Sequence, residues 1–422
     1  MTNVETLIIG AGVTGLAAAG RLQSSDYLVL EADDEIGGYC KTTIRDGFVW
    51  DQSGHFFHFR QPETERWLRD RMDTQRIENV RKLAKIAYAG GLIEYPFQKN
   101  IHQLPAGDFL ECLHDLYFAQ SNGAPEIDPD NLRELLLSRY GNAICRKFLF
   151  PYNEKVYVCD LQSLDVGAMG RFFPSPNVDD VIRNFLSPKD DSYNATFTYP
   201  ERGAFEYVKA LATAVDPAAI RTGEAVVGMD LDAREVTTAT GEQIRFDRVI
   251  SSIPLPGLAR MAGVSFDEGA FSWSKVCVFN LGFDRKGPSD VHWIYVPSPE
   301  RSFYRVGFYD NILGTDRMSL YVEVGLGSDA PETDLLPQVL DDLRAEGIVD
   351  SSHELVAYET VMLDPAYVHL TPAALKEAPR VREVLADRGV HSVGRYGAWR
   401  YCSIEDNILE AWELADSFAQ PS

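Results

Sequence analysis

An apolar run at Leu7–Ile9 stops at a glycine cluster, an alanine-rich stretch follows, and a second apolar run, Tyr27–Leu30, ends at Glu31. Short apolar runs bounded by turn residues predict buried parallel strands, and the segment between them a helix. Residues 61–80 are charged and predict a helix. Lys82–Tyr95 alternates weakly around Gly90-Gly91 and predicts a hairpin. Residues 101–170 carry helical periodicity, as in Phe109–Ala119 and in Leu132–Ala143 with Asp130 or Asn131 as its N-cap. Pro151 is expected to break a helix there and to present Tyr152, Asn153 and Tyr157 at its end. After a polar stretch, Tyr207–Val215 reads as an amphipathic helix. Ala225–Met229, Glu235–Thr238 and Gln243–Phe246 read as short strands, and a buried strand from Asp247 is closed by Pro254.

Farther on, Lys275–Phe283, Val291–Val296, Arg301–Phe308 and Met318–Val324 predict an antiparallel sheet. The two-residue period puts Trp293 and Tyr295 on one face, where Arg305 can join them from a neighbouring strand. Asp334–Glu346 reads as a helix with Pro337 in its first turn. Val390–Val393 can pair into a sheet, and Asp406 or Asn407 can cap a final amphipathic helix. The expected fold class is therefore α/β: a Rossmann-like domain, to which the glycine cluster assigns FAD binding, an inserted helical domain and an antiparallel β-sheet domain. Their expected limits are residues 1–78, 194–262 and 386–422 for the first, 100–193 for the second, and 79–99 with 263–385 for the third.

The glycine cluster supplies the first chemistry. Gly10, Gly12 and Gly15 form a G-x-G-x-x-G turn between a predicted strand and helix, and Glu31 ends the next strand. Gly10 permits the tight turn, Gly12 lets backbone approach a pyrophosphate, and Gly15 lets helix and strand pack closely. The helix N-terminus offers N–H groups to phosphate, and the Glu31 carboxylate is placed for ribose hydroxyls. Gly37 and Gly38 follow the second strand. That second glycine pair favours FAD over NAD, because it recurs at this place in flavoproteins of the glutathione-reductase type. Gly54-His55 follows, where backbone without a Cβ can approach an isoalloxazine and His55 can meet the ring edge. Tyr95-Pro96-Phe97-Gln98 puts aromatic rings and an amide together, a set able to stack on a flat base and hydrogen-bond it.

Composition narrows the partners. The chain has 422 residues, 45% of them apolar, and a formal net charge of −23, so a nucleic-acid partner is not expected. An anionic substrate would need a local arginine cluster working against that field. No apolar run reaches the roughly 18 residues of a membrane span, and the N-terminal segment lacks the basic start of a signal peptide. The six cysteines form no C-x-x-C pair and no zinc-spaced cluster, so no metal site is expected. These features predict a cytoplasmic protein.

Several blocks together resemble the UDP-galactopyranose mutase family, its eukaryotic-type branch in particular. They are Gly54-His55, Tyr95 to Asn100, Pro151 to Tyr157, Arg171, Asn194 to Phe197, Trp293 to Tyr295, Phe303 to Arg305 and Gly394 to Tyr401, in family order. The resemblance implies non-covalent FAD, active only when reduced; the reductant is left open, with NADPH and NADH as candidates. It implies that flavin N5 attacks the anomeric carbon of a UDP-sugar, releases the nucleotide, and lets the sugar ring open and reclose as a furanose without net redox change. By the same resemblance Arg171 and Arg305 hold the diphosphate, with His55 beside flavin N5. Tyr95, Phe97, Gln98, Asn153 and Tyr157 form the uridine pocket, and Asn194, Trp293, Tyr295 and Tyr401 are further substrate contacts. The cofactor set is Gly10, Gly12, Gly15, Glu31, Gly38, Gly54, Arg395 and Asn407, the last at the start of a helix directed at the flavin. Ile312, and a position near His369, stand where the family has tyrosines, with Tyr309 or Tyr367 as substitutes, and His58 replaces an aromatic hydrocarbon. The sugar and the oligomeric state are left open. The alternatives are an FAD-dependent oxidoreductase of the amine-oxidase or desaturase type, and a flavoprotein that only binds.

Overall fold

The computed structural model describes residues 2–72, 75–121, 128–170, 177–185, 195–331 and 333–419. The first apolar runs do become parallel neighbours. Thr2–Ile9 lies between Tyr27–Leu30 and Gln243–Ser251, parallel to both. Ile220–Arg221 and Val390–Ser392 extend the parallel part, and Glu235–Thr238 and Val226–Asp230 close the far edge antiparallel. Leu7, Ile8 and Val29 are fully buried because helices cover both faces of such a sheet. Gln243–Ser251 is one continuous strand, not two as its polar midpoint Asp247-Arg248 suggested.

A second sheet of seven strands runs in the order Leu355–Val368, Trp273–Phe283, Ser319–Gly327, Arg305–Phe308, Trp293–Tyr295, Ala84–Tyr88, Gly91–Glu94. It is antiparallel except at one junction, where Trp293–Tyr295 runs parallel to Ala84–Tyr88. The predicted all-antiparallel sheet is corrected there: the hairpin arrives from an earlier part of the chain, and no short turn dictates its direction. His292 seals this junction. Its backbone N–H donates to Leu83 O at 2.7 Å, and its Nδ1 accepts from the Leu83 N–H at 3.0 Å.

Three other expectations change. The charged stretch 61–80 splits into the helix Pro62–Arg69 and the strand Ile77–Arg81, which pairs with Thr196–Pro200. Pro151 does not break a helix. It follows the π-helical turn Cys145–Leu149 directly and sits in the first turn of Phe150–Tyr157, so the chain stays helical through it. The terminal helix Ile404–Ser417 is capped by Ser403 in a capping box with Asp406, so Asn407 lies inside the first turns. Asn131 is the N-cap of Leu132–Ile144, accepting from the Glu134 N–H. The strand Leu355–Val368 and the helix Pro372–Ala386 had no counterpart among the predicted elements.

The helix Phe150–Tyr157 docks directly on the second sheet. A Cβ on Gly325 would lie 2.0 Å from Lys155 O, so glycine is required for this approach. Lys155 Nζ then donates to the carbonyls of Val296, Ser298 and Phe303 at 2.9, 2.9 and 2.5 Å. Ser274 Oγ donates to Val156 O, and His369 bridges Ser272 Oγ and Tyr157 O. These bonds fix the residues of that helix over one face of the sheet.

His292 also makes a pH prediction. Burial lowers its pKa from 6.5 to about 4, and protonation at Nδ1 would remove the acceptor for Leu83. The unfolded chain therefore takes up this proton at higher pH than the folded one. The stabilisation is present above pH 6.5 and lost as pH falls towards 4. Urea midpoints measured from pH 7 to 4 should fall more gently in His292→Gln than in the parent, by a slope of at most one proton, ~1.4 kcal/mol per pH unit.

Candidate active site

The second sheet, the helix Phe150–Tyr157 and the segments around His55 and Arg395 enclose a cavity of about 320 Å³. Gly10, Gly12, Gly15, Glu31 and Gly38 form a separate cradle and are not among its lining residues. Gly10 has φ +99°, and a Cβ on Gly15 would fall 1.9 Å from Gly10 O, so only glycine lets the helix Val13–Ala19 sit so close. Gly12 bridges to Gly37, and the nearest atom to a Cβ on Gly12 is Gly38 Cα at 3.7 Å. Glu31 accepts the Ala11 N–H through Oε2 at 2.7 Å and the Asp33 N–H through Oε1 at 3.0 Å. Each oxygen keeps lone pairs for ribose hydroxyls.

Asn407 is committed to the protein itself. Its Oδ1 accepts from Thr14 Oγ1 and the Arg395 N–H, and its Nδ2 donates to Ser403 O. It is corrected from a cofactor contact to a tie between the fingerprint helix and the short helix Gly394–Gly397. The Gly54 argument changes too. Gly54 lines the cavity, but the direction of its Cβ is filled by the Tyr321 phenol at 2.6 Å. A side chain there would collide with Tyr321, so packing alone already requires glycine.

Strand register builds the opposite wall. Tyr295 faces Arg305, and Arg305 faces Glu323, in one row across three strands. The next row is Trp293, Gly307 and Tyr321. A Cβ on Gly307 would lie 1.9 Å from the Tyr321 ring, so this glycine gives the ring its place. Arg305 Nε donates to Glu323 Oε2 at 2.5 Å and its NH2 to Oε1 at 2.7 Å, a bidentate pair. Ser53 Oγ donates to the same Oε1 at 2.5 Å. Burial works to raise the Glu323 carboxyl, but the Arg305 cation and the donated bonds outweigh it and hold it below the usual carboxylate range.

His55, Tyr95, Gln98, Asn153, Tyr157, Tyr295, Arg305, Arg395 and Tyr401 all line the cavity. Tyr152 joins them, stacked on Phe148 with centroids 5.3 Å apart and edge-on to Tyr295 at 5.2 Å. Phe97 and Trp293 do not line it. Phe97 is fully buried and stacks on Phe148 at 5.1 Å, and Trp293 stacks on Phe56 at 5.5 Å. Both stand behind the lining residues, Phe97 against Phe148 and Trp293 one row along the sheet face that it shares with Tyr295. Arg171 and Asn194 lie outside the described residues. Of the two phenols suggested in place of the family's tyrosines, Tyr367 lines the cavity, whereas Tyr309 is buried and donates to Ser53 O. Ile312 is buried in the core, and His369 serves the helix dock. His58 lines the cavity and bonds Thr196 O.

Glu323 and Ser53 were missed by sequence reasoning. The available signal for Glu323 was a carboxylate inside the apolar strand Ser319–Gly327, which must be paired to be buried.

His55 Nδ1 and Arg395 Nε are buried polar atoms without a hydrogen-bond partner. Both residues line the cavity. Burial, with Arg395 and Arg305 nearby acting against the Glu323 charge, lowers His55 to about 4, so its imidazole is neutral at pH 7. Arg395 packs against the Tyr401 and Tyr367 rings at 4.7 and 5.3 Å. The glycine cradle, the Glu31 carboxylate and these two unpartnered donors or acceptors fit a flavin dinucleotide.

The comparisons agree with that chemistry. The chain belongs to the flavin-containing amine oxidoreductase family, whose profile matches residues 13–416. FAD is its cofactor. A structure of reduced UDP-galactopyranose mutase superposes with a TM-score of 0.90 at 25% identity, covering 99% of this chain and 95% of that one. A candidate protoporphyrinogen oxidase from Exiguobacterium sp. shares the fold at TM-score 0.74 and 19% identity, covering 99% and 98%. Protoporphyrinogen oxidase 2 of Arabidopsis thaliana is 37% identical over 65 residues, which is 15% of this chain and 13% of that protein. Among the described residues no helix is long and apolar enough to cross a membrane, and no His/Cys/Asp/Glu cluster would hold a metal ion.

The cradle can be tested without disturbing the fold. Gly12 has φ −78° and ordinary van der Waals room for a methyl group. Gly12→Ala should keep the melting temperature of the flavin-free protein and weaken FAD binding about tenfold or more, ~1.4 kcal/mol. Calorimetric titration of flavin-free protein with FAD measures it.

Proposed function

We propose that this chain is a flavin-dependent nucleotide-sugar mutase, interconverting the pyranose and furanose forms of a UDP-linked sugar, with galactose the first candidate. The observation that carries the reading is the charge lining the cavity. Among the described residues two guanidinium groups, Arg305 and Arg395, face one carboxylate, Glu323, while the histidines His55 and His58 are held neutral by burial. Such a lining attracts a diphosphate and repels an amine cation. The likeness to reduced UDP-galactopyranose mutase supports the same class.

The residues divide the work. Gln98 and Asn153 offer amides beside the Tyr95, Tyr152 and Tyr157 rings, a set suited to a nucleobase. Arg305 keeps an oriented fork because Glu323 holds two of its nitrogens, leaving its remaining N–H groups for phosphate oxygens. That preorganisation favours charge appearing on a departing diphosphate. Tyr367 and Tyr401, stacked at 6.2 Å, wall off the sugar side with Arg395. Arg171, outside the described residues, is proposed as the second diphosphate cation. Reduced FAD, when bound, supplies the nucleophile for the anomeric carbon.

A second reading, an oxidase of amines, is favoured by the family profile and by a carboxylate within a tyrosine-lined cavity. It predicts oxygen-dependent hydrogen peroxide formation with amines. The mutase reading predicts furanose products from UDP-galactose with dithionite-reduced enzyme, separated by chromatography. Failure to form furanose from any UDP-sugar tested rejects it. Arg305→Ala should lower kcat/KM about 10²–10³-fold with bound FAD little changed. Equal loss of flavin would contradict the assigned role.

A further inference from the structure

Residues 53–55 are held at three points. Ser53 O accepts from the His55 N–H at 2.7 Å and from Tyr309 Oη at 3.1 Å. Gly54 is pressed against Tyr321. Ser53 Oγ donates to Glu323 Oε1, the oxygen that also receives Arg305 NH2. The third attachment differs from the others. Its acceptor is shared with the guanidinium that lines the cavity, while the turn it holds carries His55, whose Nδ1 is unpartnered.

A shared acceptor transmits change. A carboxylate oxygen that receives two strong donors divides its electron density between them. An anion on the remaining Arg305 N–H groups polarises the guanidinium and so changes the strength of its bonds to Glu323, and the Ser53 hydroxyl bond adjusts in response. The turn carrying His55 is tied to Ser53 by the His55 N–H, which donates to Ser53 O. The path is four groups long, and each link is a hydrogen bond or a covalent neighbour: Arg305, Glu323, Ser53, His55.

We propose that Ser53 and Glu323 form a relay coupling anion occupancy at Arg305 to the His55 turn, so that a bound flavin senses the anion. Ser53 and Glu323 are positioning residues in this scheme. The inference rests on the reading of Arg305 as an anion site, and its test separates the two.

Oxidised holoenzyme is titrated with UDP and with inorganic pyrophosphate, binding being followed by calorimetry and the flavin by visible absorbance. The parent protein should bind UDP and show a saturable flavin difference spectrum. Ser53→Ala removes one internal hydrogen bond and leaves both Arg305–Glu323 bonds in place, so its affinity should stay within about threefold. Its difference spectrum at saturation should fall to less than half. Tyr309→Phe removes a different bond to the same residue and should keep the parental spectrum. Glu323→Gln should lose both affinity and spectral amplitude. A full-amplitude spectrum in Ser53→Ala overturns the relay while leaving the anion site intact. An equal loss in Tyr309→Phe also overturns it, by showing general loosening of the turn. Absence of UDP and pyrophosphate binding to the parent overturns the anion site itself, and the relay with it.

Discussion

The buried Arg305–Glu323 pair is the constraint on which the cavity depends. Taking either ion out of water costs several kcal/mol, which only a close, fully bonded partner offsets. Glu323 is 1% exposed and meets both the guanidinium and the Ser53 hydroxyl. The pair exists because three adjacent strands hold Tyr295, Arg305 and Glu323 in one row. A slip of one residue would turn Arg305 to the other face, among Ile294, Val306 and Val322. The register is enforced on the next row, where Gly307 makes room for the Tyr321 ring and Gly54 closes over it.

The two sheets contribute different things, and a few side chains join them. The parallel sheet brings its strand ends to the glycine cradle, as open α/β sheets do. The second sheet supplies the charged and aromatic wall. Trp50 Nε1 donates to Ser319 Oγ and Ser53 Oγ to Glu323, which joins the N-terminal segment to the second sheet. Elsewhere, Glu405 accepts the N–H groups of Arg60 and Gln61, and Arg60 pairs with Asp406. This ties the segment after His55 to the start of the terminal helix. Asn407 ties that helix to Thr14 and to the backbone of Arg395.

Global and local charge oppose one another. The chain carries a net charge of −23, yet its cavity presents two guanidinium groups to one carboxylate among the described residues. A low-dielectric, aromatic-walled cavity makes the local charges count for more than the distant ones. The fold itself does not choose the chemistry, since the same architecture appears in a mutase and in a candidate oxidase. The choice falls to the side chains at the wall.

Local sequence was enough for what local physics decides. The glycine fingerprint, the Asn131 cap and the alternation that put Trp293 and Tyr295 on one face all depend on neighbours within a few residues. The blocks around Tyr95, Asn153, Arg305 and Tyr401 were legible as a constellation, though not in their contacts. Leu355–Val368 escaped notice because it is a half-exposed edge strand containing Pro365, and Pro372–Ala386 because Pro379 interrupts its pattern. Only the tertiary structure left Phe97, Trp293 and Asn407 out of the cavity lining, brought Ser53 and Glu323 into it, and chose Tyr367 over Tyr309. The reason is geometric. Periodicity says that a side chain faces a given side of its own strand, but what it meets there depends on the register of a strand far away in the chain. The partner of a buried charge is therefore written in the pairing of strands and not in the residues beside it.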